Sequence, residues 1–174
     1  MERGSKMKGS STQPAARGWL TGVASVSLCL LFLSGCGGGG RMVDYDGLTE
    51  LKVGNATLQV TVSRGFADQQ RGLKYRTAES LAKDEGMLFI YQTAREAEFT
   101  MQDCKMALDA AFLDSDGVIT DLYTMQPESG GLVFKKYKAS QPATYAIQMA
   151  GGWFAAAGVT VGQKVENLPA PGGR

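Results

Sequence analysis

Period-two alternation, cut every few residues by glycine, governs what this chain can fold into. "LTELKV" and "ATLQVTV" alternate apolar and polar residues on either side of Gly54-Asn55, a pair that supplies positive φ cheaply and so predicts a hairpin. "GMLFIY" (86–91) is a continuous apolar run and predicts a strand buried on both faces. "AEFTMQD" (97–103), "LDAAFLD" (108–114), "GVITDLYTM" (117–125), "SGGLVFKKY", "YAIQMAGG" (145–152) and "VTVGQKVENL" (159–168) extend the series. Between the hairpin and the buried run, residues 66–86 are polar and helix-permissive. There Thr77, with Glu79 and Ser80, is expected to start a short helix that Gly86 stops. "WFAAAG" reads as a second short helix, and "PAPGGR" as a frayed tail. The expected class is mainly β (α+β): a small curled sheet or barrel with one or two short helices.

That domain is preceded by a segment of different character. Residues 1–19 are polar and basic, carrying Arg3, Lys6, Lys8 and Arg17 against Glu2. Residues 20–33, "LTGVASVSLCLLFL", carry no charge, and small residues lead to Cys36. Basic, apolar, small is the order of a secretory leader. As helix the apolar run spans about 21 Å, short of the roughly 30 Å hydrocarbon core. Leu33-Ser34-Gly35-Cys36 resembles the lipobox of bacterial lipoproteins. That resemblance implies cleavage before Cys36, a diacylglycerol thioether on its sulfur, and stable anchoring by paired acyl chains. We therefore expect a leader at 1–35 and a lipidated Gly-rich tether at 36–47. The folded domain then spans 48–168 and the tail 169–174. The tether reaches about 18 Å. The expected location is the cell envelope, lipid-anchored and facing the periplasm. The outer membrane is favoured in a Gram-negative cell because Gly37, not Asp, follows the cysteine. Met1 and Met7 are both serviceable starts.

With Cys29 lost in the leader and Cys36 lipidated, Cys104 stands alone, so the mature domain closes no internal disulfide and must hold by packing. Histidine is absent, which excludes Ser-His-Asp and Cys-His catalysis and imidazole ligation within this chain. Net charge is +1 over the whole chain, and the basic excess sits in the leader. "FKKYK" is a short basic run, not a stripe, and we expect no nucleic-acid partner.

Residues 58–165 are similar to the domain of unknown function 192 family, also called uncharacterised protein family 0127. The carrying residues are "RGLKYR" (71–76), "GMLFIY" (86–91), "FTMQDCKMALDAAFLDSDGVI" (99–119), "YAIQMAGG" (145–152) and "AGVTVGQKV" (157–165). The resemblance implies a compact, β-rich, barrel-like domain, often exported, with no established activity. Thr100 stands where the family often has Trp, and Met101-Gln102-Asp103-Cys104 where it has Met-Lys-Asn-Thr. Gln148 replaces a common Glu.

Candidate chemistry is sparse. Asp114, Asp116 and Asp121 with Gly117 imitate a calcium loop, but counting from Asp114 an EF-hand needs Gly at Ile119 and Glu at Met125, so a turn is expected. Asp109, between apolar neighbours, is a candidate at a pocket wall, with Arg71 or Arg76 as partner; tying backbone amides within the fold is the alternative. Asp103 and Asp109 together would be the pair for a glycan hydrolase. Met101, Met106 and Met125 with Phe99, Phe112 and Cys104 form core or, less simply, a soft-metal site. Trp153-Phe154 either stacks on a sugar or anchors a helix. The candidate pocket residues are Arg71, Met101, Asp103 and Asp109, with Cys36 for lipid attachment. No catalytic residue, metal ligand or cofactor is assigned. The first reading is a non-catalytic envelope module binding a small molecule, glycan or protein; the second is a carboxylate hydrolase, the third soft-metal handling.

Overall fold

The computed structural model describes residues 47–172. The leader and all but the last residue of the tether, Cys36 included, lie outside the described residues. The chain runs β1 (Thr49–Val53), β2 (Ala56–Ser63), α1 (Phe66–Arg71), a 3-10 turn (Ala78–Ser80), β3 (Glu85–Arg95) and β4 (Glu98–Phe99). It continues through β5 (Leu108–Leu113), β6 (Ile119–Met125), β7 (Tyr137–Lys138), β8 (Ala143–Ala150), α2 (Trp153–Ala156) and β9 (Val165–Glu166). Seven strands form one sheet in the order β6-β5-β8-β3-β2-β1-β9, and β4 pairs β7 separately. The fold is mainly β, a curled half-barrel with two short helices, as the alternation predicts.

The hairpin forms at Gly54-Asn55, with Val53 opposite Ala56 and Gly54 at φ 56°. Beyond it β2 and β3 pair in parallel, so the chain must cross over between them, through α1 and the 3-10 turn. The sheet curls until its edges meet at one end. Val118 bridges Lys164, the Ile119 amide donates to the Gln163 carbonyl, and the Val165 amide donates to the Gly117 carbonyl. Joining the edges removes unpaired strand groups that would template aggregation.

Curling creates two apolar layers. Leu88, Ile90, Ala111, Leu113, Tyr145 and Ile147 point inward with Leu51, Leu58 and Val60. Met87, Phe89, Ala110, Phe112 and Ala146 point outward and are covered by Leu73, Phe99 and Met101. Every residue of β5 is therefore buried. This double cover explains why the central strands read as continuous apolar runs, and each large side chain so buried contributes about 1.5–3 kcal/mol. α2 closes one end: Trp153 and Phe154 are 8% and 4% exposed, and Trp153 Nε1 donates to Asp84 Oδ1 at 3.0 Å. They anchor the helix and offer no open face to a sugar.

Several expectations are corrected. Gly86 stops no helix; it lies inside β3, where a Cβ would overlap the Gln148 carbonyl oxygen and Met149 Sδ. The helix at Thr77 is one 3-10 turn, with Ser80 Oγ accepting from the Thr77 amide and donating to its carbonyl, both at 2.9 Å. In 97–103 only Glu98–Phe99 is strand. The alternation there is real, since Ala97, Phe99 and Met101 are buried, but it pins a loop to the outer layer where little backbone is left to pair with. Of "SGGLVFKKY" only its last residue is strand, in Tyr137–Lys138; Gly130 and Gly131 take positive φ, and Leu132 and Val133 stand in solvent. The tail is tied as far as Pro171: Arg64 Nη1 donates to the carbonyls of Ala170 and Pro171.

The "DSDG" turn is built by Asp114, whose Oδ1 accepts from the amides of Asp116 and Val118 at 2.9 Å each, with Gly117 at φ 78°. Asp114→Ala is expected to cost about 1–2 kcal/mol, read by thermal denaturation. Millimolar calcium should leave the wild-type melting temperature unchanged; a calcium-dependent rise would restore the metal reading.

Candidate functional site

A cleft of about 240 Å³ opens between the β2–β3 crossover and the outer face of the sheet. Its floor is Phe89, Tyr91 and Phe99; its rim is Phe66, Arg71, Lys74, Arg95 and Cys104; Gln148 faces it from β8. The shape follows from local chemistry. α1 ends when Gly72 turns the chain back at φ 53°, ψ −139°, its amide donating to the Asp68 carbonyl at 2.8 Å. A Cβ there would stand 3.0 Å from Gln148 Oε1 and 3.4 Å from Phe89 Cζ, so glycine lets the crossover lie directly on the sheet. Leu73 then plugs the outer layer, and its amide donates to Gln148 Oε1 at 3.3 Å. Two residues on, the Tyr75 amide donates to the Asp103 carbonyl at 3.0 Å. Both residues hold positive φ, 65° and 60°, without being glycine. Such backbone costs of order 1–2 kcal/mol per residue, and this bond holds it where the crossover meets the 100–104 loop.

Cations outnumber carboxylates on the lining, Arg71, Lys74 and Arg95 against Glu96 and Glu98. Glu98 is engaged by Lys136 at 2.6 Å and Lys138 at 3.8 Å, and the Lys136 hydrogen bond holds its carboxyl below the usual range. Among the described residues Arg71, Lys74 and Arg95 make no ion pair. Arg95 lies over the Tyr91 ring, 4.3 Å from its centroid, which orients the guanidinium. Burial pushes the Tyr91 phenol above its ordinary value, and Arg95 opposes that shift.

Cys104 is half-buried. Burial pushes its thiol up; Lys74 draws it down, and Asp103 adds to the rise. A smaller thiolate fraction at neutral pH means slower alkylation than an ordinary thiol. Lys74→Ala is expected to slow iodoacetamide labelling of Cys104 further and to move its pH midpoint upward, followed by peptide mass. An unchanged midpoint would mean that Lys74 does not reach the thiol.

Of the four candidate pocket residues Arg71, Met101, Asp103 and Asp109, only Arg71 lines this cleft, joined by Phe99 and Cys104 from the Met-Cys group. Met101 is 1% exposed and packs in the outer layer beneath, as does Met125. Asp103 is exposed on its loop and works here through its backbone oxygen. Asp109 is 1% exposed and turns inward. Its Oδ1 accepts from Thr124 Oγ1 at 2.8 Å and the Gly152 amide at 2.9 Å; its Oδ2 accepts from the Phe154 amide at 3.0 Å. It meets neither Arg71 nor Arg76, and Arg76 pairs Glu85 at 3.4 Å. Asp109 therefore ties β5 and β6 to the start of α2 and presents no oxygen to a ligand.

The sequence reading did not single out Lys74 and Arg95, and named Gln148 only as a departure from a pattern. Gln148 had a readable signal, a lone amide within the apolar run "YAIQMA". Arg95 had none: it stands at the far end of a long strand, and only the fold brings it beside Arg71.

A curled seven-stranded sheet whose outer face is roofed by a glycine-hinged crossover defines a class of small β domains with a cleft under that roof. The chain belongs to the DUF192 family (Uncharacterized ACR), whose model matches residues 49–167. Two crystal structures share the fold. A proposed transcription regulator from Sinorhizobium meliloti 1021 is 25% identical, with a TM-score of 0.63 over 72% of this chain and 96% of that one. A protein of unknown function from Novosphingobium aromaticivorans DSM 12444 is 26% identical, with a TM-score of 0.62 over 68% of this chain and 84% of that one. No curated protein matches the chain.

Proposed function

We propose that this protein is a non-catalytic binding module, held in the cell envelope by lipid on Cys36, with the cleft under the crossover as its ligand site. The observation that carries the reading is the cleft itself: three cations without carboxylate partners among the described residues around an aromatic floor. A surface left in that state favours a bound partner over solvent. The rival hydrolase reading needs Asp103 and Asp109 at one site, yet Asp109 is spent on three internal donors and neither lines the cleft. Soft-metal handling needs sulfur ligands that converge in reach of solvent, and of that group Met101 and Met125 are buried, which leaves only half-buried Met106 and Cys104.

The test is mass spectrometry of the full chain purified from membranes in detergent. Under native conditions the wild type should carry a small-molecule adduct that Arg71→Glu loses. Under denaturing conditions the chain should begin at an acylated Cys36. An adduct that survives Arg71→Glu contradicts the site. An intact leader with an unmodified thiol contradicts the anchor.

A further inference from the structure

Resting on that reading of the cleft, we infer that its ligand is a carboxylate-bearing sugar ring. Gln148 is 5% exposed, and its Oε1 is taken by the Leu73 amide, while its amide nitrogen donates to no described residue. That NH₂ is not fully enclosed, since Gln148 lines the cleft, and it stands ready to donate to a ligand oxygen there. Around it Arg71, Lys74 and Arg95 supply positive charge against two lining carboxylates, Glu96 and Glu98, and Glu98 is already held by two lysines. Arg95, fixed over Tyr91, keeps the planar fork that a carboxylate matches with two parallel hydrogen bonds.

Size and apolar surface set the rest of the ligand. A volume of about 240 Å³ is below the roughly 300–1,000 Å³ of sites for drug-sized molecules, which suits one ring. Phe66, 75% exposed at the rim, offers an uncovered aromatic face to the C–H side of a sugar. Past Phe66 and Arg95 a second hollow of about 360 Å³ continues toward Arg64 and Gln92. A second ring joined to the first would lie there. The same chemistry thus serves a free sugar acid or the acidic end of a glycan.

The experiment uses the full chain in detergent, with calorimetry and protection of Cys104 from iodoacetamide as independent readouts. Probes are D-glucuronate, D-glucose, inorganic phosphate and a disaccharide containing glucuronate. Glucuronate should bind, slow labelling of Cys104 at least several-fold, and weaken with salt. Arg71→Ala and Arg95→Lys should each lose about tenfold or more in affinity with unchanged melting temperatures. The lysine variant keeps the charge and removes only the fork. Gln148→Leu should also lose binding. A disaccharide that binds about tenfold tighter assigns the glycan end; equal affinity assigns the free acid, and both support the inference. Glucose binding as well as glucuronate overturns the acidic class while leaving the binding module standing. Phosphate binding without glucuronate, or no probe binding at all, overturns the sugar acid. If the adduct of the native protein is also missing, the binding module falls with it.

Discussion

Asp109→Ala is expected to lower stability by about 3–5 kcal/mol. The loss strands three donors, the amides of Gly152 and Phe154 and the Thr124 hydroxyl, around a side chain that is 1% exposed. The Phe154 amide is buried and costs about 1–3 kcal/mol without its acceptor, while the Thr124 hydroxyl and Gly152 amide belong to exposed residues and each lose about 0.5–1.5 kcal/mol of net bond. At roughly 2–8 °C per kcal/mol for domains of this size range, the melting temperature should fall by about 10–20 °C. Asp109→Asn keeps one acceptor oxygen but turns an NH₂ toward a donor, and should fall between wild type and alanine. Thermal denaturation by circular dichroism reads both. A catalytic Asp109 predicts the opposite pattern, a stable alanine variant that loses an activity. A melting temperature within a degree or two of wild type would reopen the acid/base reading.

Gly86→Ala should be nearly as damaging, by about 2–4 kcal/mol. The added methyl meets the backbone oxygen of Gln148 and the sulfur of Met149 on β8. The Met149 side chain can move aside. The carbonyl cannot without separating β3 from β8, where Gly86 faces Met149 in register. That separation would also carry Gln148 away from the cleft, so ligand binding should fall with stability. Gly172→Ala, with nothing within 4 Å and no positive φ, is the control expected near zero. Equal melting temperatures for the two variants would contradict the close approach of these strands.

These two residues mark where the sequence stopped being readable. Alternation and turn chemistry are local, so the hairpin at Gly54-Asn55, the fully buried strand after Gly86 and the Asp114 turn follow from neighbours in the chain. Gly86 itself was legible only as glycine. Its reason is a strand some sixty residues away, and a helix stop was the cheaper local explanation. The closing contact of Val118 with Lys164 and the pinned loop at 97–103 are likewise tertiary facts. In the cleft, Arg71 stood in a motif and could be proposed. Lys74, Arg95 and Gln148 come from separate elements and become a site only when the crossover lies on the sheet. At Asp109 the sequence leaves both roles open, pocket wall or internal tie, because a carboxylate among apolar neighbours fits either. The geometry around both its oxygens gives it the second.

The most direct measurement of where this protein binds is amide hydrogen exchange of the full chain in detergent, with and without D-glucuronate. Slowed exchange is expected only in the crossover at 69–75, the 95–104 segment and the part of β8 around Gln148. Protection centred instead on the Asp114 turn or the Val118–Lys164 closure, with the crossover unchanged, would contradict it.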